Sequence, residues 1–276
     1  MTATQMNMIE LDAENAIHTI YHPPGAKDQT FVFLNSMGAT TDAWETKLAP
    51  MARELGYGTL SFDYRGQGKT RFGANATLEP EEIIGDIVTT LAAVKPHRPI
   101  LVGLSIGGLF GAHAVLRGAQ ADGIVFINTL RKANAQVEWI NTLEARLIAM
   151  GGMPLVLDVL RPVLSGREEL ARLRPTHLPD EGYTPWPPEH PRRRLAEGVN
   201  KADWSLPYEQ LTLPTLVLTG LHDRLFRIQE DVDAIVARLP DATVVTYNDG
   251  GHSLQAEFPD RFIADISAFA DTVKRA

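Results

Sequence analysis

Short apolar runs rich in β-branched residues alternate with segments of helical spacing along this chain, and that alternation strongly limits the folds open to it. In the first half the runs of strand length are Phe31 to Leu34, Thr59 to Phe62, Pro99 to Leu104 and Gly123 to Ile127. One intervening segment begins at Pro80 and places apolar residues from Ile83 to Leu91 on one helical face. Strands that alternate with amphipathic helices predict parallel βαβ units.

The alternation stops near Thr129 and resumes after Leu206. Between these points we find helical spacing and a Pro- and Arg-rich stretch, but no strand pattern. A structureless insert of this length is rare inside a compact domain, so we expect a helical cap. Beyond the cap, two strands and one helix are predicted at Pro214 to Gly220, Thr243 to Asn248 and Asp260 to Val273. The sequence therefore predicts a mostly parallel α/β sheet flanked by helices, with a core of 1–129 and 207–276 and a cap of 130–206.

The composition excludes cysteine-based chemistry and disfavours several kinds of partner. With 0 Cys, the chain has no disulfide, no Cys-ligated zinc and no thiol nucleophile. The formal net charge of -8 disfavours nucleic acid as a partner, because phosphates require a positive surface. No basic, apolar leader and no run of ~20 apolar residues is seen, so we expect a cytoplasmic protein that does not bind membranes. The oligomeric state is left open.

The motif G-x-S-x-G spans Gly103 to Gly107, directly after one predicted strand and directly before a helix that ends near Gly118. Such a turn forces its serine into a strained backbone, and the flanking glycines avoid Cβ collisions. We interpret Ser105 as a nucleophile exposed above the sheet edge. The alternative interpretation is a glycine-rich packing turn.

A serine hydroxyl needs a base to remove its proton. His252 is the best candidate among the eight histidines, because it lies in a loop after the last predicted strand. Histidines in polar or Pro-rich, surface-like stretches are His18, His22, His97, His177 and His190. His113 lies on a helix, and His222 precedes the last strand. No spacing typical of metal ligands occurs, so no metal is expected.

An acid should orient the histidine and follow a strand that precedes it in the chain. Asp223 meets this requirement, because a short loop separates it from the strand that ends at Gly220. Asp249 is the alternative, although the Asp249-Gly250-Gly251 sequence is typical of a turn. For the oxyanion, the N–H groups of Met37 and Ile106 are the predicted donors.

The chain resembles the α/β-hydrolase superfamily over nearly its whole length outside the cap. Besides Ser105, Asp223 and His252, the resemblance includes the segment SFDYRGQGKT, which is similar to a D-x-R-G-x-G-x-S/T element. The segments NSMGATTDAW, GLSIGG and INTLRKA resemble those of 3-oxoadipate enol-lactonases. The resemblance implies the α/β-hydrolase fold and a Ser-His-Asp hydrolase without a cofactor that acts on a small ester or lactone.

Two other functions are open. A carbon–carbon bond hydrolase of vinylogous diketones shares the triad and a stretch like Gly251 to Glu257, but usually has an H-G-x-G-P-G loop that is absent here. A small-molecule receptor can also retain the triad, because a fold does not determine a function.

The predicted substrate contacts are Ser36, Arg131 and Trp139. Because the enol-lactone of the resembled family bears a carboxylate, and an arginine can bind a carboxylate with two hydrogen bonds, Arg131 is the arginine we single out. It closely follows the Gly123 to Ile127 strand. Arginines are frequent in and beside the cap: Arg131, Arg161, Arg167, Arg172, Arg174, Arg192, Arg193 and Arg194. The alternative is that they form solvated surfaces.

Overall fold

A computed structural model describes residues 5–178 and 181–274. Within these ranges the chain forms an eight-stranded sheet with the order β1-β2-β4-β3-β5-β6-β7-β8. The strands are β1 (Gln5–Glu10), β2 (Ala16–His22), β3 (Thr30–Leu34), β4 (Gly58–Phe62), β5 (Pro99–Leu104), β6 (Gly123–Ile127), β7 (Thr215–Gly220) and β8 (Ala242–Tyr247). β2 pairs antiparallel with both β1 and β4, and all the other pairings are parallel. The predicted fold class is confirmed.

Helices cover both faces of this sheet. They are α1 (Asp42–Glu45), α2 (Leu48–Glu54), α3 (Pro80–Val94), α4 (Ile106–Leu116), α5 (Ala135–Leu164), α6 (Arg167–Leu173), α7 (Pro191–Val199), α8 (Gln229–Val236), α9 (Leu254–Glu257) and α10 (Pro259–Thr272). Side chains of α3, α4 and α8 pack into a buried cluster on one face. Those of α1, α2 and α10 pack into a second cluster on the other face. Because both faces are covered, the central parallel strands are buried, and all six residues of β5 are buried.

Three helices, α5 to α7, lie between β6 and β7, and the described residues of this segment include no strand. Their apolar side chains form a separate small cluster around Ile148, Met153 and Ala196. By length and composition α5 could cross a membrane, but its backbone is non-helical at Gly151 and Gly152. It is therefore two shorter helices joined at a kink. The division of the chain into a core and a cap stays a prediction.

Candidate active site

Ser105 lies on a sharp turn between β5 and α4. Its backbone has a positive φ of 55° with ψ −120°, and its N–H donates to the Ile127 carbonyl at 2.8 Å. A Cβ added at Gly107 would lie 2.5 Å from the carbonyl oxygens of Leu34 and Asn35. The turn therefore requires glycine at this position, and it presents the Ser105 hydroxyl to a cavity.

The structure brings His252 and Asp223 together. His252 Nδ1 lies 2.6 Å from Asp223 Oδ2, and both side chains are buried. Because an ionised carboxylate can only accept, the imidazole carries its proton on Nδ1, and Nε2 is left to take a proton. The His252 backbone N–H also donates to the Leu164 carbonyl at the end of α5, at 2.6 Å.

The Asp223 carboxylate is held in its ionised form. Burial, which leaves Asp223 only 2% exposed, would raise its pKa, but the charge of His252 and the hydrogen bond with its ring lower the pKa below its usual value. The Phe226 N–H, 3.1 Å from Oδ1, and the charge of Arg131 act in the same direction. Asp249, the alternative acid, has an exposed side chain that lies 3.9 Å from Arg261.

Asn128, at the end of β6, connects the loops that carry these residues. Its Nδ2 donates to the carbonyls of Gly251 at 2.9 Å and His252 at 2.8 Å. Its Oδ1 accepts from the Gly220 N–H at 2.9 Å, at the end of β7. No sequence pattern assigned a role to Asn128. A positional signal was available, since the residue follows a buried central strand of the sheet.

Gln67 determines how the loop after β3 faces the cavity. Its Nε2 donates to the carbonyls of Ser36 at 2.9 Å and Met37 at 3.0 Å. In a trans peptide the C=O and the N–H point in opposite directions, so holding the Ser36 carbonyl turns the Met37 N–H away from Gln67. Met37 and Ile106 both line the cavity with Ser105, in positions compatible with the predicted oxyanion donors.

Asp63 holds the same loop through hydrogen bonds, and its contact with His18 corrects one expectation about that histidine. It is fully buried and accepts from the backbone N–H of Thr41 at 2.8 Å and of Lys69 at 3.1 Å. His18 Nδ1 lies 3.1 Å from its Oδ2. The assignment of His18 to a surface-like stretch is therefore wrong: it is 6% exposed, and its ring lies against the buried Asp63 carboxylate.

The cavity has a volume of about 420 Å³, a size suited to a small ligand. Ser36 and Arg131, two of the predicted substrate contacts, line it. The third, Trp139, is 77% exposed and does not line it, because its position on α5 faces solvent. Of the other arginines, Arg161 and Arg172 line the cavity.

Arg131 makes a contact that the sequence did not indicate. Its Nη2 lies 2.6 Å from Ser105 Oγ, and its guanidinium carbon lies 4.3 Å from the ring centroids of both Trp204 and Phe226. Burial lowers the pKa of Arg131 to about 10, which leaves it cationic at neutral pH. Its Nη1 makes no hydrogen bond to any residue of the described ranges.

Glu144, on α5, adds a carboxyl group to the cavity wall. Burial raises its pKa to about 7, and the charge of Arg131 only partly opposes this effect. No sequence pattern singled it out. Among residues 5–178 and 181–274, no three His, Asp or Glu side chains lie close enough together to hold a metal ion.

Comparisons with known proteins agree with this architecture. The model of the alpha/beta hydrolase family matches residues 31–265. A protein of Pseudomonas syringae pv. syringae (strain B728a) named "Putative carbamate hydrolase RutD" is 23% identical over 258 residues, which cover 92% of this chain and 98% of the relative.

Two solved structures share the fold. The enol-lactonase from Burkholderia xenovorans LB400 has a TM-score of 0.73 and 21% identity, and the match covers 93% of this chain and 97% of that one. An esterase from Exiguobacterium antarcticum has a TM-score of 0.76 and 15% identity, with 97% of this chain and 100% of that one covered.

Proposed function

Because the chain belongs to the alpha/beta hydrolase family, we propose that it is a serine hydrolase that cleaves a small carboxylic ester or lactone through an acyl-enzyme, without a cofactor. The observation that carries the proposal is the 2.6 Å contact between Asp223 and His252, together with a strained Ser105 that lines the same cavity as His252. A serine needs a base, and the base needs a group that fixes its tautomer.

The proposed reaction has two steps. Ser105 Oγ attacks the carbonyl carbon while His252 Nε2 takes the hydroxyl proton and passes it to the leaving oxygen. A water molecule, deprotonated by the same nitrogen, then attacks the acyl-enzyme and releases the acid. Asp223 stabilises the imidazolium in both steps, and the N–H groups of Met37 and Ile106 bind the oxyanion.

The volume of the cavity and the charge of Arg131 limit the size and the chemical class of the substrate. About 420 Å³ admits a small acyl compound, and Nη1 of Arg131, which makes no hydrogen bond to a described residue, gives a carboxylate on that compound a partner. We therefore extend the proposal to substrates that bear a free carboxylate. The relatives named as carbamate hydrolases make carbamates a further class to assay.

The test is Ser105→Ala. We expect kcat to fall by ~10⁴ or more, with labelling by a fluorophosphonate abolished and the unfolding curve kept. A screen of lactones, methyl esters, carbamates and vinylogous diketones identifies the bond that is cleaved. Ser205→Ala is the control, because this exposed serine does not line the cavity and lacks the strained turn. Labelling that persists in Ser105→Ala would show that another residue is the nucleophile.

A further inference from the structure

Arg131 occupies a position that a substrate contact alone would not need. Its guanidinium donates to Ser105 Oγ, the atom that would form and break the acyl bond. In the described part of the chain, Ser105 Oγ has no other hydrogen-bonding partner. The positively charged guanidinium of Arg131 is therefore hydrogen-bonded directly to Oγ of the proposed nucleophile, Ser105.

The surroundings of Arg131 keep it there. It is 4% exposed and stacked between Trp204 and Phe226, with Nε and Nη2 each 3.4 Å from a backbone carbonyl, of Thr129 and Asn128 respectively. No carboxylate of the described residues forms an ion pair with it, so its charge is not neutralised by a direct partner. Phe226 also contacts the His252 ring, with 5.1 Å between the two centroids. The arginine is thus fixed relative to both reacting side chains.

We propose that Arg131 is a fourth catalytic residue, which stabilises Ser105 Oγ as the leaving oxygen when the acyl-enzyme is hydrolysed. This inference rests on the proposed function, since it requires an acyl-enzyme on Ser105. In that step water adds to the acyl carbon, the bond from this carbon to Oγ breaks, and the electron pair remains on Oγ. His252 carries the proton from the water to Oγ.

The hydrogen bond from Arg131 to Ser105 Oγ should affect acylation and deacylation differently. In the acyl-enzyme, Oγ is an ester oxygen and a poor acceptor, whereas in the transition state for its departure it gains negative charge. A hydrogen bond that strengthens only in the transition state accelerates that step. During acylation the free hydroxyl already accepts this bond, so much of its stabilisation is present in the ground state. Removal of the guanidinium should therefore slow deacylation more than acylation.

Arg131→Met tests this with p-nitrophenyl acetate in stopped flow, which gives acylation from the burst and deacylation from the following steady state. We expect deacylation to slow by about 10- to 100-fold, the effect of one charge-assisted hydrogen bond, while acylation changes much less. Acyl-enzyme should accumulate and be visible by intact mass. Arg131→Lys, which keeps a cationic donor, should recover part of the deacylation rate. Arg146→Met, at an exposed arginine on α5, is the matched control.

Equal slowing of both steps would reduce Arg131 to a positioning residue and overturn the proposal, as would unchanged rates. Fluorophosphonate labelling of Ser105 in each variant shows that the site is folded. If Arg131→Met does not label, Arg131→Lys replaces it, and unequal slowing of the two steps is again the expected result. Wild-type protein that does not label at Ser105 would instead refute the proposed function.

Discussion

Gln67→Met removes the hydrogen bonds that hold the loop after β3, which carries Met37. Gln67 itself does not line the cavity. Gln67 is 1% exposed, and its side chain makes four hydrogen bonds. Nε2 donates to Ser36 and Met37, while Oε1 accepts from Asn35 Nδ2 at 3.0 Å and from the Tyr64 N–H at 3.2 Å. Methionine has a similar volume but neither donor nor acceptor of comparable strength.

The expected loss has two parts. Four buried hydrogen bonds at ~0.5 to 1.5 kcal/mol each predict that the free energy of unfolding falls by about 2 to 6 kcal/mol. The peptide between Ser36 and Met37 would also lose its fixed orientation, so the Met37 N–H would no longer be held in position to donate to the oxyanion. Loss of one oxyanion donor lowers kcat by about 10² to 10³.

Urea unfolding measures the first part, and ester hydrolysis below the unfolding transition measures the second. Gln120→Met is the control, because this exposed glutamine also donates to a carbonyl, of Gly118 at 3.2 Å, far from the sheet edge that bears Ser105. Gln67→Glu should retain the two accepted bonds and lose the two donated ones, because a carboxylate oxygen would face the carbonyl oxygens of Ser36 and Met37. A Gln67→Met protein that is destabilised but keeps kcat within about threefold of wild type would refute the role assigned to this loop.

Three further predictions concern charged groups. Asp223→Asn should lower kcat by about 10³ to 10⁴ by stabilising the wrong imidazole tautomer, and Asp249→Asn should have little effect; steady-state kinetics that rank them the other way would contradict the assignment. Because burial raises the pKa of Glu144 from about 4.5 to about 7, ionisation of this group opposes folding, so stability should fall as pH rises through this window. The free energy of unfolding of Glu144→Gln should lack this part of the pH dependence, and identical pH profiles would exclude it. For a substrate offered as a free acid and as its methyl ester, Arg131→Met should lower kcat/KM more for the acid, and equal losses would argue against carboxylate recognition.

Hydrophobic patterning was sufficient to predict the parallel part of the fold. β5 and β6 have the predicted bounds, because a strand buried on both faces is a continuous apolar run. β1 and β2 were missed, since their sequences QMNMIE and AIHTIYH mix polar and apolar residues. Their pairing at the edge of the sheet depends on β4, a contact that no local pattern encodes.

The candidate catalytic residues could be proposed from the sequence more readily than the residues that hold them. Ser105, Asp223 and His252 each follow a predicted strand, and parallel strands bring such ends to one edge of the sheet. Asn128 and Gln67 act through backbone groups that are distant in the chain, so their roles emerge only from the folded structure. Trp139 was predicted to contact the substrate but faces solvent, because its place on α5 does not determine which side chains of the helix face inward.

The carboxyl edge of the sheet concentrates backbone strain where the chemistry is proposed. Ser105 and Asn128, neither of them glycine, have φ values of 55° and 46° at the ends of adjacent strands β5 and β6. Such conformations cost about 1 to 3 kcal/mol each and persist only where the surroundings impose them.

Each strained residue is bonded to the next strand in the sheet. Ser105 donates its N–H to Ile127 of β6, and Asn128 donates its N–H to Leu218 of β7 at 2.9 Å. The Asn128 side chain then holds the carbonyl of His252. Ser105, the strand that precedes Asp223 and the loop that carries His252 are therefore connected through one chain of hydrogen bonds. A change at Asn128 should alter the alignment of Ser105 with His252 although Asn128 itself takes no part in the proposed proton transfer.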